Sequence, residues 1–178
     1  GDAPGDDVSD TIDIDSRPAE SDLFPRERLA TTDALLDADA LVGAAIARLA
    51  FDPAGLDPAT ADLLVRLAQS PSRGIRGVDI GAQCQMTATR VSRLLDRAEA
   101  EGLVKRLPDP SDRRAQHVVL TTAGHEAAAR LAPLLDGVID RLVVETLSAE
   151  ERATLIELLG RLTERARAMI DEDLTRRT

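Results

Sequence analysis

The stretch from Thr87 to Leu120 constrains this chain more than any other. Between Thr87 and Gly102, the residues Val91, Leu94, Leu95 and Ala98 recur at i, i+3, i+4 and i+7, which defines one buried helical stripe. Arg90, Arg93 and Arg97 occupy the opposite face. Thr87 is placed to accept first-turn N–H groups as an N-cap, and Gly102 supplies the left-handed residue that ends many helices. The N-terminal end therefore presents Thr87, Thr89, Arg90 and Arg93 together with unpaired N–H groups and a partial positive charge. That set suits a phosphate or a base edge, and a DNA major groove admits such an end.

Two short apolar, β-branched segments follow, Leu103–Leu107 and Ala115–Leu120, and they read as antiparallel strands. Pro108-Asp-Pro-Ser-Asp-Arg-Arg114 lies between them, and its prolines and turn formers cannot extend a ladder. The loop ends in Arg113 and Arg114, a cationic tip of a width suited to a minor groove. Asp112 is positioned to orient the Arg114 guanidinium by a charge-assisted bond.

Upstream, Leu35, Leu36, Leu41, Val42, Ile46 and Leu49 fit a helix from about Thr31 to Ala50, expected to stop near Phe51 because Pro53 disfavours helical geometry before it. Asp57-Pro58 opens a second helix with an acidic cap and a proline at the first helical position. Ser70 to Gly74 reads as a loop. A short helix over Gly77 to Cys84 then meets the arginine-bearing helix through a turn at Gln85-Met86, giving a helix-turn-helix, with Arg73 and Arg76 at its entrance where they would touch the DNA backbone. Downstream, Thr121 caps a long helix carrying Leu131, Leu134, Leu135, Val138, Ile139 and Leu142, which Pro133 should kink mildly. Ser148 to Glu151 is a capping box for a last helix with more apolar surface than one thin stripe needs. A second copy of the chain is the simplest partner for that surface.

The run Leu56 to Leu67, the segment Met86 to Val104, the Asp109-Pro-Ser-Asp-Arg-Arg114 wing with its Asp-x-Arg, and Leu120-Thr-Thr-Ala-Gly124 resemble, in order and spacing, the multiple antibiotic resistance regulator (MarR) family over roughly residues 30 to 175. The resemblance implies an all-α dimer with a small β-wing: a winged helix-turn-helix in each subunit, a dimerisation region built from both chain ends, and a cleft able to take a small-molecule effector. It also implies a transcriptional repressor released by its ligand. The expected organisation is an acidic, disordered tail over 1–25, an N-terminal dimerisation helix over 26–56, the DNA-binding domain over 57–120 and C-terminal dimerisation helices over 121–178.

Composition sets the remaining bounds. The net charge of −10 over 178 residues argues against indiscriminate binding to nucleic acid, but it is distributed unevenly. Residues 1 to 25 carry one arginine against eight acids, whereas residues 73 to 117 carry nine basic against six acidic residues, a local excess of three. Screening over about 8 Å leaves a phosphate near Arg93 or Arg114 dominated by its neighbours. No apolar run reaches membrane-spanning length and no signal-peptide pattern opens the chain, so a cytoplasmic setting without membrane partners is expected. The lone Cys84 excludes an internal disulfide and is expected to pack in the core rather than act in redox chemistry. His117 and His125, without paired ligand spacing, are expected to be solvated or DNA-facing and to hold no metal. No Ser-His-Asp order or phosphate loop is present, and neither an enzyme nor a cofactor is expected. With two phenylalanines and no Trp or Tyr, any effector cleft must be aliphatic and polar. The competing class is a winged-helix protein-interaction module without DNA binding, which the acidic total favours and the arginine wing opposes.

Overall fold

The computed structural model describes residues 26–70, 74–84, 86–109 and 116–177. The chain divides into two units, residues 1–41 and 42–178. Helix α1, Arg26–Ile46, starts five residues ahead of the expected Thr31, because Arg26-Glu-Arg-Leu-Ala30 are strong helix formers. It runs into a π-helical turn, Ala47–Phe51, and a single α-turn, Asp52–Ala54. The expected stop near Phe51 is thus overrun. The wider turn closes with the Asp52 N–H donating to the Ala47 carbonyl, so Pro53 falls in a first-turn position where its missing N–H costs nothing. Gly55, at φ 73°, ends the segment.

Helix α2, Pro58–Gln69, opens as anticipated: the Asp57 side chain accepts from the Ala59 and Thr60 N–H groups at 3.1 and 3.2 Å. Strand β1, Ile75–Arg76, was not foreseen; two residues carry too little periodicity to be read. Helix α3, Gly77–Cys84, and helix α4, Ala88–Ala100, form the helix-turn-helix. Strands β2, Val104–Pro108, and β3, Gln116–Leu120, form the hairpin, and the antiparallel sheet has the order β1-β3-β2. Pro108, expected in the loop, instead closes the ladder opposite Gln116; β2 is an edge strand, where a missing N–H is tolerated. Helix α5, Thr122–Ile139, a second π-helical turn, Asp140–Val144, and helix α6, Ala149–Arg176, complete the chain.

Leu63, Leu64 and Leu67 of α2, Ile80 of α3, Val91, Leu94, Leu95 and Ala98 of α4, Val104, Val118 and Leu120 of the hairpin and Ala127 of α5 make one core. Each large aliphatic chain so buried contributes about 1.5–3 kcal/mol. The anticipated α4 stripe is therefore what fastens that helix, and its arginine face is left outside. A smaller cluster joins Ala50, Ala61, Leu131 and Val138. Pro133 lies inside α5.

The Leu-Thr-x-x-Gly segment has a geometric reason. Thr121 donates its N–H to the Leu103 carbonyl at 3.0 Å and its hydroxyl chiefly to the Gly102 carbonyl at 2.6 Å, and accepts from the Gly124 N–H at 3.0 Å. A Cβ on Gly124 would lie 2.0 Å from the Leu103 carbonyl oxygen, so only glycine lets α5 start this close to the bend between α4 and β2. Helix α6 begins with the complete capping box, Ser148 N–H to Glu151 carboxylate at 2.8 Å and Glu151 N–H to Ser148 Oγ at 3.2 Å, and these bonds hold the Glu151 carboxyl below its usual pKa. Yet α6 buries no residue, and Ile156 and Ile170 are 72% and 60% exposed.

Candidate nucleic-acid interface

The first turn of α4 forms the centre of the site. Thr87 caps it, its Oγ accepting from the Arg90 N–H at 3.4 Å, and Gly102 ends the turn after the helix at φ 73°. Thr87, Thr89, Arg90 and Arg93 are all exposed. Neither Arg90 nor Arg93 forms an ion pair with a described residue, so both guanidiniums keep their donors. Arg97 behaves differently. Its Nη2 donates to Asp57 Oδ1 at 3.0 Å and to Thr60 Oγ at 3.4 Å, joining α4 to the cap of α2. The sequence suggests Glu101 as its partner, one turn along; the partner is the residue that α2 brings alongside. Burial raises the Asp57 pKa, but the Thr60 hydroxyl and amide and the Arg97 charge outweigh it, and the carboxyl titrates below its usual value.

Arg106, which the sequence did not single out, ties the hairpin to α4. Its Nη2 meets Asp96 Oδ1 at 2.6 Å, its Nη1 meets Glu99 Oε2, and its backbone N–H donates to Glu99 Oε1 at 3.2 Å. The Asp96 bond, opposed by desolvation and aided by both carboxylate charges, raises the guanidinium pKa further. The two acids on the solvent side of α4 thus serve the hairpin and do not neutralise Arg90 or Arg93.

Arg76 is half-exposed but engaged: its Nη2 lies 2.6 Å from Asp109 Oδ2. His117 is the clearest correction. Expected in solvent or facing DNA, its ring is largely buried, with Nε2 2.8 Å from the same Asp109 oxygen: the pleat sets it on the sheet face opposite the core residues Val118 and Leu120, and there Leu107, Arg76 and Asp109 cover it. Alternation along His117-Val118-Val119-Leu120 gives the face, but the cover comes from residues of other strands. His125 is exposed and bonds through Nδ1 to the Thr121 carbonyl at 2.8 Å. Arg73, Asp112, Arg113 and Arg114 lie outside the described residues.

Cys84, at the end of α3, packs half-buried against the core, its thiol donating to Asp62 Oδ2 at 3.3 Å. Burial, reinforced by Asp62, pushes the thiol pKa up to about 11, away from the low values of reactive cysteines. A groove of about 530 Å³ between α3 and α4 is lined by Val78, Met86, Val91, Leu95, Ser92 and Arg106, among others, with no aromatic ring.

A capped helix with Arg90 and Arg93 exposed, a short helix packed across it and a hairpin bound to its side together define a winged helix-turn-helix protein. Residues 54–115 match the MarR family. The multiple antibiotic resistance protein MarR of Escherichia coli K12 is 34% identical over 88 residues, 49% of this chain and 56% of that protein. The repressor YetL of Bacillus subtilis is 28% identical over 117 residues, 65% of this chain and 68% of its own length. A MarR family transcriptional regulator from Streptomyces coelicolor, solved in complex with DNA, superposes with a TM-score of 0.72 at 29% identity, covering 79% of this chain and 92% of that one. Over residues 54–115 the chain is thus similar to the MarR family, and the proteins it resembles include transcription regulators. Its match to the E. coli protein spans less than two thirds of that relative. No helix among the described residues is long and apolar enough to cross a membrane.

Proposed function

We propose that this chain is a sequence-specific, double-stranded-DNA-binding transcriptional regulator, a ligand-responsive repressor acting in the cytoplasm as a homodimer on a palindromic operator. The observation that carries the reading is the pair of exposed arginines, Arg90 and Arg93, free of carboxylate partners on a helix whose neighbouring acids are all turned to Arg106. In this reading Thr87, Thr89, Arg90 and Arg93 read the major groove. Arg114, oriented by Asp112 and flanked by Arg113, enters the minor groove, and Arg73 and Arg76 hold phosphates. Residues 57–120 bind DNA; 26–56 and 121–178 pair the subunits. The bare apolar surface of α6 supports the pairing. Two-fold symmetry then sets the recognition helices one DNA turn, about 34–36 Å, apart. The groove beside Arg106 has room for a small effector.

Selection of bound sequences from random duplexes tests this reading, and a palindrome is the expected product. On the selected duplex, Arg93→Ala should cost about 1–3 kcal/mol and relax preference at one position per half-site. Arg114→Ala should weaken binding across sequences and flatten the salt dependence. Wild-type affinity in both folded variants would replace the reading with a protein-interaction module.

A further inference from the structure

We infer that Asp109 is the positioning residue of the wing, fixing the hairpin against the entrance of the helix-turn-helix; this rests on the DNA-binding reading above. Asp109 is the residue at which the chain leaves β2, and its side chain is 4% exposed. A carboxylate so withdrawn from water is tolerated when its charge is matched. Both of the partners described above reach it from other strands: Arg76 from β1 and His117 from β3, each bonded to Oδ2.

Strand β3 lies between β1 and β2, so the Arg76 to Asp109 bond spans the sheet from one edge to the other. Strand β1 has only two residues, and its ladder alone holds it weakly. Arg76 is also the last residue before α3. One buried carboxylate therefore joins the start of α3 to the base of the wing, the two places from which the DNA backbone and the minor groove would be approached. Asp109 fixes the end of β2, the point from which the chain leaves the sheet. His117 contributes a donor from Nε2, while its Nδ1 is buried with no partner among the described residues. The ring is held there by Asp109 and by packing, without a second polar anchor.

The test compares Asp109→Asn, which keeps the shape and removes the charge, with Asp109→Glu, which keeps the charge. Affinity is measured on the selected duplex with A·T-rich and with G·C-rich flanks, and amide hydrogen exchange is followed in parallel. Asp109→Asn should lose at least five-fold on the A·T-flanked duplex and less than two-fold on the other, with base preference inside the half-site unchanged, and Asp109→Glu should recover part of the loss. Exchange should accelerate at least ten-fold in β1 and β3 and stay unchanged in α4. An equal loss on both duplexes, or retained flank discrimination with unchanged exchange, overturns the assignment. If Asp109→Asn does not fold, His117→Phe removes the β3 partner of the same carboxylate without touching a proposed DNA contact and must give the same pattern. If the wild type binds no duplex, the DNA-binding reading falls by itself. Exchange then decides the clamp: acceleration confined to β1 and β3 supports it, and uniform acceleration overturns it.

Discussion

Replacing Gly124 by alanine should unfold this protein several degrees earlier, although alanine is the better helix former. The added Cβ would lie 2.0 Å from the Leu103 carbonyl oxygen and 3.2 Å from Leu120 Cδ2. Ordinary contact requires more than 3 Å, so α5 and the Leu103 peptide must separate by over 1 Å. Overpacking of this kind costs about 1–3 kcal/mol. The same carbonyl accepts the Thr121 N–H, and pulling it away weakens a hydrogen bond worth about 1 kcal/mol. Against this stands a gain of at most about 1 kcal/mol from removing a helical glycine. The net loss is about 1–3 kcal/mol, or roughly 2–12 °C for a chain of this size. Gly137, in the same helix, is exposed, and a Cβ there meets nothing within 4 Å, so Gly137→Ala should be neutral or stabilising by up to about 1 kcal/mol. Both variants are melted by calorimetry at one protein concentration, since assembly would otherwise shift the midpoint. Equal melting temperatures for the two would refute the steric argument.

Cys84 should alkylate slowly: with its pKa raised from 9.0 to about 11, the thiolate fraction at pH 8 falls about 100-fold, and iodoacetamide labelling at the rate of free cysteine would contradict this. Arg97→Ala removes an ion pair that is about half exposed, so urea denaturation should show a loss of only about 0.2–1 kcal/mol, with DNA affinity within two-fold of wild type. Asp57→Ala should cost about 0.5–2 kcal/mol at pH 7 through the lost cap. Because the folded carboxyl titrates low, that contribution is present above the ordinary carboxylate value and fades as pH falls through the folded one, so the variant and wild type should converge in strong acid. By sedimentation at micromolar concentration the wild type should run as a dimer, and Leu159→Glu with Leu162→Glu, both exposed on α6, should run as a folded monomer; a monomeric wild type would count against the proposed pairing.

What could be read from the sequence follows the range of the forces involved. The α3 boundaries, the buried stripe of α4, the Asp57, Thr87 and Thr121 caps and the Ser148 box are set by residues within a turn of one another, and all stand as expected. What was missed depends on which segments meet. The partner of Arg97 is 40 positions away in sequence, and that of Arg76 is 33 away. His117 does lie on the face away from the core, but Asp109 and Arg76, brought there by other strands, cover it. The end of α1 was misplaced for a subtler reason, because Pro53 breaks an α-helix but is harmless after a π-turn, and no periodicity announces that turn. Asp109 is the instructive case among the site residues. It was seen only as part of a turn-forming run, since nothing local distinguishes a solvated turn aspartate from one claimed by two distant strands.

The second π-turn, at Asp140–Val144, carries a consequence of its own. Such a turn holds one residue more than α-helical geometry needs, and its side chains are uncommitted, since none of the five is buried. Removing any one of them should let the segment relax into ordinary α-helix, at a hydrogen-bonding cost near zero. One wide turn then becomes one α-turn, so everything beyond keeps nearly its present direction and height. The chain would still leave α5 on the same side and enter the Ser148 cap from the same direction, with both helices intact. A single-codon deletion here is thus absorbed where it falls, a place at which chain length can change without re-aiming the last helix.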